Sequence, residues 1–226
     1  MTISDSKIRA RQEFARPPKS EWEALVGAAT SSLSDGIGRM GAFDGGIRPV
    51  TRNTVFAGPA LTVKCRSGDN LAALVSLEWT KPGDVVVLAN DGATVAALAG
   101  GNYVAMLKAR GAVALICDGP ARDLDELDEI GLPVFARGVT PAGPFKTGPG
   151  TIGFPVAVGP VVVSSGDIVV GDRDGLVVVA QSDIELAVKG YQMVREREAE
   201  MAAAIAEGGI PGWLRSRIAA VEVDVE

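Results

Sequence analysis

The run Ala112-Val113-Ala114-Leu115-Ile116-Cys117 carries no charged residue on either face of an extended chain, so it reads as a strand buried on both sides. Such a strand needs a covering layer above and below. It breaks at the turn signal Asp118-Gly119-Pro120, and a short helix then opens and ends at Gly131. Upstream, Asp84 to Leu88 is a second buried strand. Gly100-Gly101 precedes a helix through Tyr103, Val104 and Leu107, which Gly111 closes. Downstream, Pro133 to Arg137 is a third strand. Strands joined by helix-sized crossovers pair in parallel.

The flanks extend this plan. Residues 1–19 read as a polar N-terminal arm ended by Pro17-Pro18. Ser20 and Glu23 form a capping box for a helix with the stripe Trp22, Leu25, Val26 and Ala29. Ser34-Asp35-Gly36 reads as a turn or second cap, and Thr54 to Cys65 as a strand. Asp69 caps a helix bearing Leu71, Leu74 and Val75, stopped by Lys81-Pro82-Gly83. From Gly143 the pattern turns to hairpins: Pro155 to Val163, Asp167 to Val170 and Leu176 to Ala180 are β-like. Ser182 and Glu185 form another capping box for a long helix, 182–207, stopped by Gly208-Gly209 and Pro211. The expected architecture is α/β: one domain over residues 20–226, a layered mixed sheet with flanking helices.

Composition narrows the chemistry. The net charge of −6 offers no broad basic footprint for nucleic acid. No apolar run reaches membrane-spanning length, and Met1 to Phe14 lacks a signal-peptide core, so a cytoplasmic protein is expected. Cys65 and Cys117, both in apolar runs, read as buried thiols without metal-ligand spacing. The chain has no histidine. The commonest general base and soft-metal ligand is therefore missing, leaving carboxylates, Arg, Lys, Tyr, backbone amides or a hard cation.

Three features are candidates for a site. Arg122-Asp123 falls where a strand ends and a helix begins, the edge at which open α/β sheets bind ligands. Asp123 with Glu126 also fits a plain capping box. Arg122 does not, because a cation at a helix amino end opposes the dipole; beside free amides it suits a carboxylate clamp. Asp123 suits a hard cation such as Mg²⁺. Gly100-Gly101-Asn102-Tyr103 opens on the same sheet edge, as an amide nest for an anion or as an ordinary turn. Glu198 lies in the apolar stripe Ile184, Ala187, Tyr191, Val194, Met201 and Ile205 of the long helix. A carboxylate there is paired or bound to something, unless the helix runs past the core. Gly143 to Thr147 lacks the glycines of a phosphate loop, and Asp172-Arg173-Asp174-Gly175 lacks the later ligands of a calcium loop.

At Gly119-x-x-Arg122-Asp123-Leu124-Asp125-Glu126-Leu127 the chain resembles the family of 4-hydroxy-4-methyl-2-oxoglutarate aldolases, which also includes the regulator of ribonuclease E activity. Ser34-Asp35 with Gly38-Arg39, Gly45 to Pro49, Gly68-Asp69-Asn70-Leu71-Ala72, Pro82-Gly83-Asp84-Val85 and Gly171 to Gly175 carry the resemblance across residues 20–210. It implies a swivelling ββα-type fold, a homotrimer or hexamer with sites between subunits, and a class II aldolase using Mg²⁺ or Mn²⁺. By that resemblance Arg122 grips a small 2-oxo acid, Asp123 holds the metal largely through waters, and the glycine loop (Gly100, Gly101, Asn102 and Tyr103) binds the pyruvyl carboxylate. Glu198 reaches in from a neighbouring subunit. The family loop reads glycine followed by an acid. Here Asn102 follows Gly101, and if Gly100 is the family glycine the acidic position is Gly101.

The implied reaction cleaves a 4-hydroxy-2-oxo acid to pyruvate and a second oxo acid, with oxaloacetate decarboxylation as a side activity. The alternative is a non-catalytic protein that regulates a ribonuclease by binding it. A methyltransferase finds no glycine-rich cofactor loop.

Overall fold

Four parallel neighbours, β3 (Phe56–Cys65), β4 (Val85–Ala89), β5 (Ala114–Ala121) and β6 (Val134–Val139), form the centre of the sheet in sequence order. The computed structural model describes residues 7–11 and 13–224. Three helices make the crossovers: α3 (Leu71–Ser76), α4 (Gly101–Ala109) and α5 (Leu124–Ile130). Right-handed crossovers between adjacent strands put all three on one face. Val86, Leu88, Leu115 and Cys117 point to that face and pack with Tyr103, Val104, Leu107 and Leu127. Val85, Val87, Ala114 and Ile116 point the other way, into a second core with Phe56, Phe135, Val169 and Leu176. Apolar residues at every strand position thus follow from two cores rather than one.

The second face is closed by hairpins. β8 (Val156–Val158) pairs antiparallel with β9 (Val161–Val163), and β10 (Ile168–Gly171) with β11 (Leu176–Val179), as the turn-rich pattern predicts. β3 is shared: its first half pairs with β10 and its second half with β4 and with β7 (Gly150–Ile152). A third core, around Trp22, Leu25, Leu33, Ile168, Val170, Val177 and Ile184, joins the β10–β11 ribbon to α1 (Lys19–Trp22), α2 (Thr30–Gly36) and the long α6 (Ile184–Ala206). The short β2 (Arg48–Pro49) edges β6. The final helix is α7 (Gly212–Ala219). The result is the expected α/β layered mixed sheet with flanking helices.

Several local expectations give way. The N-terminal stretch contributes β1 (Ile8–Ala10), parallel to β7. Arg16 clamps the buried Asp84 through two bonds of 2.7 and 2.8 Å. Ser20 is no cap: Pro18, at φ −61° and ψ 145°, already holds the N-cap position, and α1 is one turn followed by a 3₁₀ turn. Ser182 sits in a 3₁₀ turn and donates to Asp183, so that box does not form either, though α6 begins two residues later. Ser34 to Gly36 is helical rather than a turn. β5 does not break at Asp118-Gly119-Pro120 but continues through an irregularity between Cys117 and Pro120, kept extended by pairing Ala121 with Val139. Both thiols are buried, and burial pushes that of Cys65 up to about 12.

Helices α2 and α6 cross at Gly36 and Gly190. A Cβ on Gly190 would overlap the Gly36 carbonyl, and one on Gly36 would meet the Gly190 backbone. Gly190→Ala should therefore lower stability by about 1–3 kcal/mol from overpacking, less the roughly 1 kcal/mol of helix propensity that alanine adds. A higher Tm on thermal melting contradicts this.

Candidate functional site

The loops after β4 and β5 are tied together. Leu98 N–H donates to the Pro120 carbonyl (2.9 Å) and Arg122 N–H to that of Ala99 (3.1 Å). These bonds bring Gly100, Gly101, Arg122 and Asp123 to one edge of the sheet, as the crossover pattern requires. The Arg122 guanidinium Nε stands 3.4 Å from Asp123 Oδ2, and each side chain is 40% exposed. Both border a cavity of about 150 Å³, with Gly100, Asn102 and Tyr103 on another wall.

Asp123 is not the cap that the sequence suggests. It takes a left-handed conformation (φ 63°, ψ 43°), which costs on the order of 1 kcal/mol, and makes no side-chain bond to the start of α5. Its Oδ2 instead accepts from the Gly101 N–H, 3.1 Å away, at the start of α4. The carboxylate is turned across the cleft to the other loop. The paired glycines also differ from expectation. Gly100 is extended and Gly101 opens the helix, with neither at positive φ, so no nest forms. Their use is clearance. A Cβ on Gly100 would collide with Asp123 Oδ2, and one on Gly101 with the carboxylate of Glu126.

Tyr103 is a core residue. Its ring lies in the core, its hydroxyl pairs with Ser76 Oγ at 3.2 Å, and burial raises its pKa above the ordinary phenol value. Glu198 is elsewhere in the chain: it accepts from Ser32 Oγ (2.6 Å) and Arg195 (2.7 Å), beyond the part of α6 that packs on the core. It borders a different groove, with Val194, Met201 and Trp213. Among the described residues no cluster of three or more Cys, Asp or Glu side chains is placed to hold a metal.

Two residues of the cavity wall were not singled out as site residues in the sequence. Asn70 is 7% exposed; its Nδ2 donates to the Leu98 carbonyl, while Oδ1 is buried without a partner. Lys146 lies on the opposite loop with Pro144. That loop is anchored by Asp69, whose carboxylate accepts from the N–H groups of Leu71 (2.8 Å), Thr147 (2.6 Å) and Gly148 (3.0 Å) and from Thr147 Oγ1 (3.1 Å). Burial pushes this carboxyl up, but these donors outweigh burial and hold it below the usual range.

A layered α/β protein that sets an Arg–Asp pair against a helix start at the sheet edge has the groundwork of a small-anion site. Residues 30–178 match the RraA-like family, described as aldolase/RraA. A protein of Halalkalibacterium halodurans bearing the provisional name 4-hydroxy-4-methyl-2-oxoglutarate aldolase is 36% identical over 156 residues, covering 69% of this chain and 74% of that one. A crystal structure of a protein from Pseudomonas syringae pv. tomato is similar at 25% identity and TM-score 0.79, covering 92% and 98% of the two chains. Streptomyces coelicolor RraAS2, described as an unusual member of the RNase ES inhibitor RraA protein family, is similar at 26% identity and TM-score 0.73, covering 83% and 98%. The chain belongs to the RraA-like family. No helix among the described residues is long and apolar enough to cross a membrane.

Proposed function

We propose that the protein is a divalent-metal-dependent lyase that cleaves a 4-hydroxy-2-oxo acid to pyruvate and a second oxo acid. The observation that carries this reading is the Arg122–Asp123 pair, half-exposed on a cavity walled by the start of α4. The aldolase name of the relative at 36% identity supports the reaction class.

The donor set fits a hard cation. Asp123 presents an accessible carboxylate, Asn70 Oδ1 is an amide oxygen without a partner, and no thiol or imidazole competes. Asp123 would hold Mg²⁺ or Mn²⁺ largely through waters. When bound, the cation polarises the keto oxygen and offsets the charge that builds on the pyruvyl half. The chain's own groups do the rest. First-turn amides of α4 bind the pyruvyl carboxylate, since helix-start N–H groups have no intrahelical acceptor. Arg122 grips the oxygen functions around C4 and stabilises the alkoxide as the hydroxyl proton leaves to water. The electron pair of the C3–C4 bond stays with the pyruvyl half, which takes a proton at C3 from water to become pyruvate, and the second oxo acid departs. Oxaloacetate losing CO₂ leaves the same pyruvyl fragment, hence the side activity. Glu198 of the partner subunit would complete the site in a homotrimer or hexamer.

The test is pyruvate release from 4-carboxy-4-hydroxy-2-oxoadipate and from oxaloacetate, with and without Mg²⁺. Release that needs the metal and stops with EDTA is expected. No release from either at high enzyme concentration sinks the lyase and favours a protein that acts by binding a ribonuclease. Release that survives EDTA and is trapped by borohydride points to a lysine Schiff base.

A further inference from the structure

A groove of about 600 Å³ opens between the edge strand β2 and the turn that joins β10 to β11. Arg48, Arg52 and Arg173 line it together with Pro49, Thr51 and Thr54, and no carboxylate belongs to its wall. Three cations without an acid among them stand out in a chain of net charge −6. The acids nearest in sequence are committed elsewhere. Asp44 accepts from Arg137 (2.7 Å) and from the Gly46 N–H (2.5 Å). Asp172 accepts from the Thr30 N–H and hydroxyl and from the N–H groups of Asp174 and Gly175. Among the described residues Arg52 pairs with Asp128 (3.2 Å), whereas Arg48 and Arg173 are exposed and have no partner. The groove beside α7 differs. It also holds three arginines, Arg39, Arg197 and Arg217, but with Asp35 and Glu198 on the same wall, and Arg39 pairs with Asp35 at 3.3 Å.

The chain carries a segment of the complementary chemistry. Beyond α7, Val221-Glu222-Val223-Asp224-Val225-Glu226 alternates valine with acid and contains no cation. In an extended chain that period puts the acids on one face, about 6.5–7 Å apart. Val221 and Val223 are 61% and 72% exposed, and among the described residues Glu222 and Asp224 have no ion-pair partner. No residue of the segment lines the groove of its own chain. We propose that residues 221–226 of a second copy of the chain dock, extended, along the groove of Arg48, Arg52 and Arg173, acid face to guanidinium. Arginine forks bind carboxylates through paired N–H···O bonds, and three acids balance three cations. Pro49 has no N–H and guards the strand edge, so side chains rather than ladder bonds hold the segment. The volume suits a stretch of chain: the cavity beside Arg122, sized for a small anion, is about 150 Å³.

The probe is a fluorescein-labelled peptide of residues 220–226. It is titrated with the full chain carrying Glu222→Ser and Asp224→Ser, so that the chain's own segment does not compete. Anisotropy should rise to saturation. Adding Arg48→Ala and Arg173→Ala should weaken binding about tenfold, as expected for the loss of two solvent-exposed charge pairs. Raising the ionic strength should weaken it as well. All substitutions are on exposed side chains, and a thermal melt of each variant checks folding. No rise in anisotropy, or equal binding after the two arginine substitutions, overturns the proposal. Equal binding by a peptide of the same composition in scrambled order overturns it too, leaving only general charge attraction. Displacement by inorganic phosphate at concentrations too low to act as salt assigns the groove to a small anion instead, and likewise overturns it.

Discussion

Arg122→Ala is expected to cut pyruvate release about 10²–10³-fold, the usual loss when one preorganised group facing developing charge is removed. The guanidinium has one ion-pair partner and lies close to two glycines. Its Nε lies 3.4 Å from Asp123 Oδ2, a Cβ on Gly100 would come within 3.0 Å of the same nitrogen, and one on Gly143 within 3.2 Å of Nη1. Such a fork is aimed before any ligand arrives, so its loss falls on turnover as well as on binding. Arg122→Lys keeps the charge but not the two-pronged geometry and should recover only a small part. Because the side chain is 40% exposed and makes one ion pair, Tm should stay within a few degrees of wild type. Steady-state kinetics on oxaloacetate with saturating Mg²⁺, beside a thermal melt, checks both halves. Wild-type turnover in Arg122→Ala removes Arg122 from the reaction.

The centre of the fold was legible because each strand is apolar on both faces and the crossovers have helix length. That pattern places β4, α4, β5, α5 and β6 and, through the crossover rule, the edge where the site lies. It failed where local preference met tertiary pairing. Asp118-Gly119-Pro120 is a strong turn signal, yet Gly119 packs so closely on Asn90 that a Cβ would fall 2.7 Å from Nδ2, and β6 takes up the strand beyond it. Both serine capping boxes failed because the spacing S-x-x-E says nothing about where the first helical turn closes. Glu126 was read as a partner of Asp123 within one helix; which neighbouring helix end it faces is a packing fact. Asn70 and Lys146 were invisible as a pair because they sit in distant parts of the chain, joined through the buried Asp69 carboxylate and through backbone bonds that Phe145 makes with Asn70 and Gly68.

That buried carboxylate carries the other large effect. Asp69 is 3% exposed and accepts four bonds that fasten the loop of Lys146 to the start of α3. Asp69→Ala removes the acceptor that three backbone N–H groups and a hydroxyl share. Bonds to a charged acceptor are worth about 1.5–3 kcal/mol each, and the loop relaxes to water in part, so a net loss of roughly 3–5 kcal/mol is expected. Asp69→Asn keeps one acceptor oxygen and turns an NH₂ toward N–H donors, so it recovers little. The folded-state pKa lies below the ordinary value of 3.8. The carboxylate's contribution is therefore fully present above that value and is lost as pH falls through the depressed folded value. The gap in stability between wild type and Asp69→Asn should be widest near neutrality and narrow only in acid, below about pH 4. Chemical denaturation of both proteins from pH 3 to 7 measures it, and a gap that is constant across this range assigns the role to shape rather than charge. Because the loop also forms one wall of the cavity, the same substitution should raise KM for any oxo acid the site accepts. Fastening the wall and stabilising the fold are here the work of a single carboxylate.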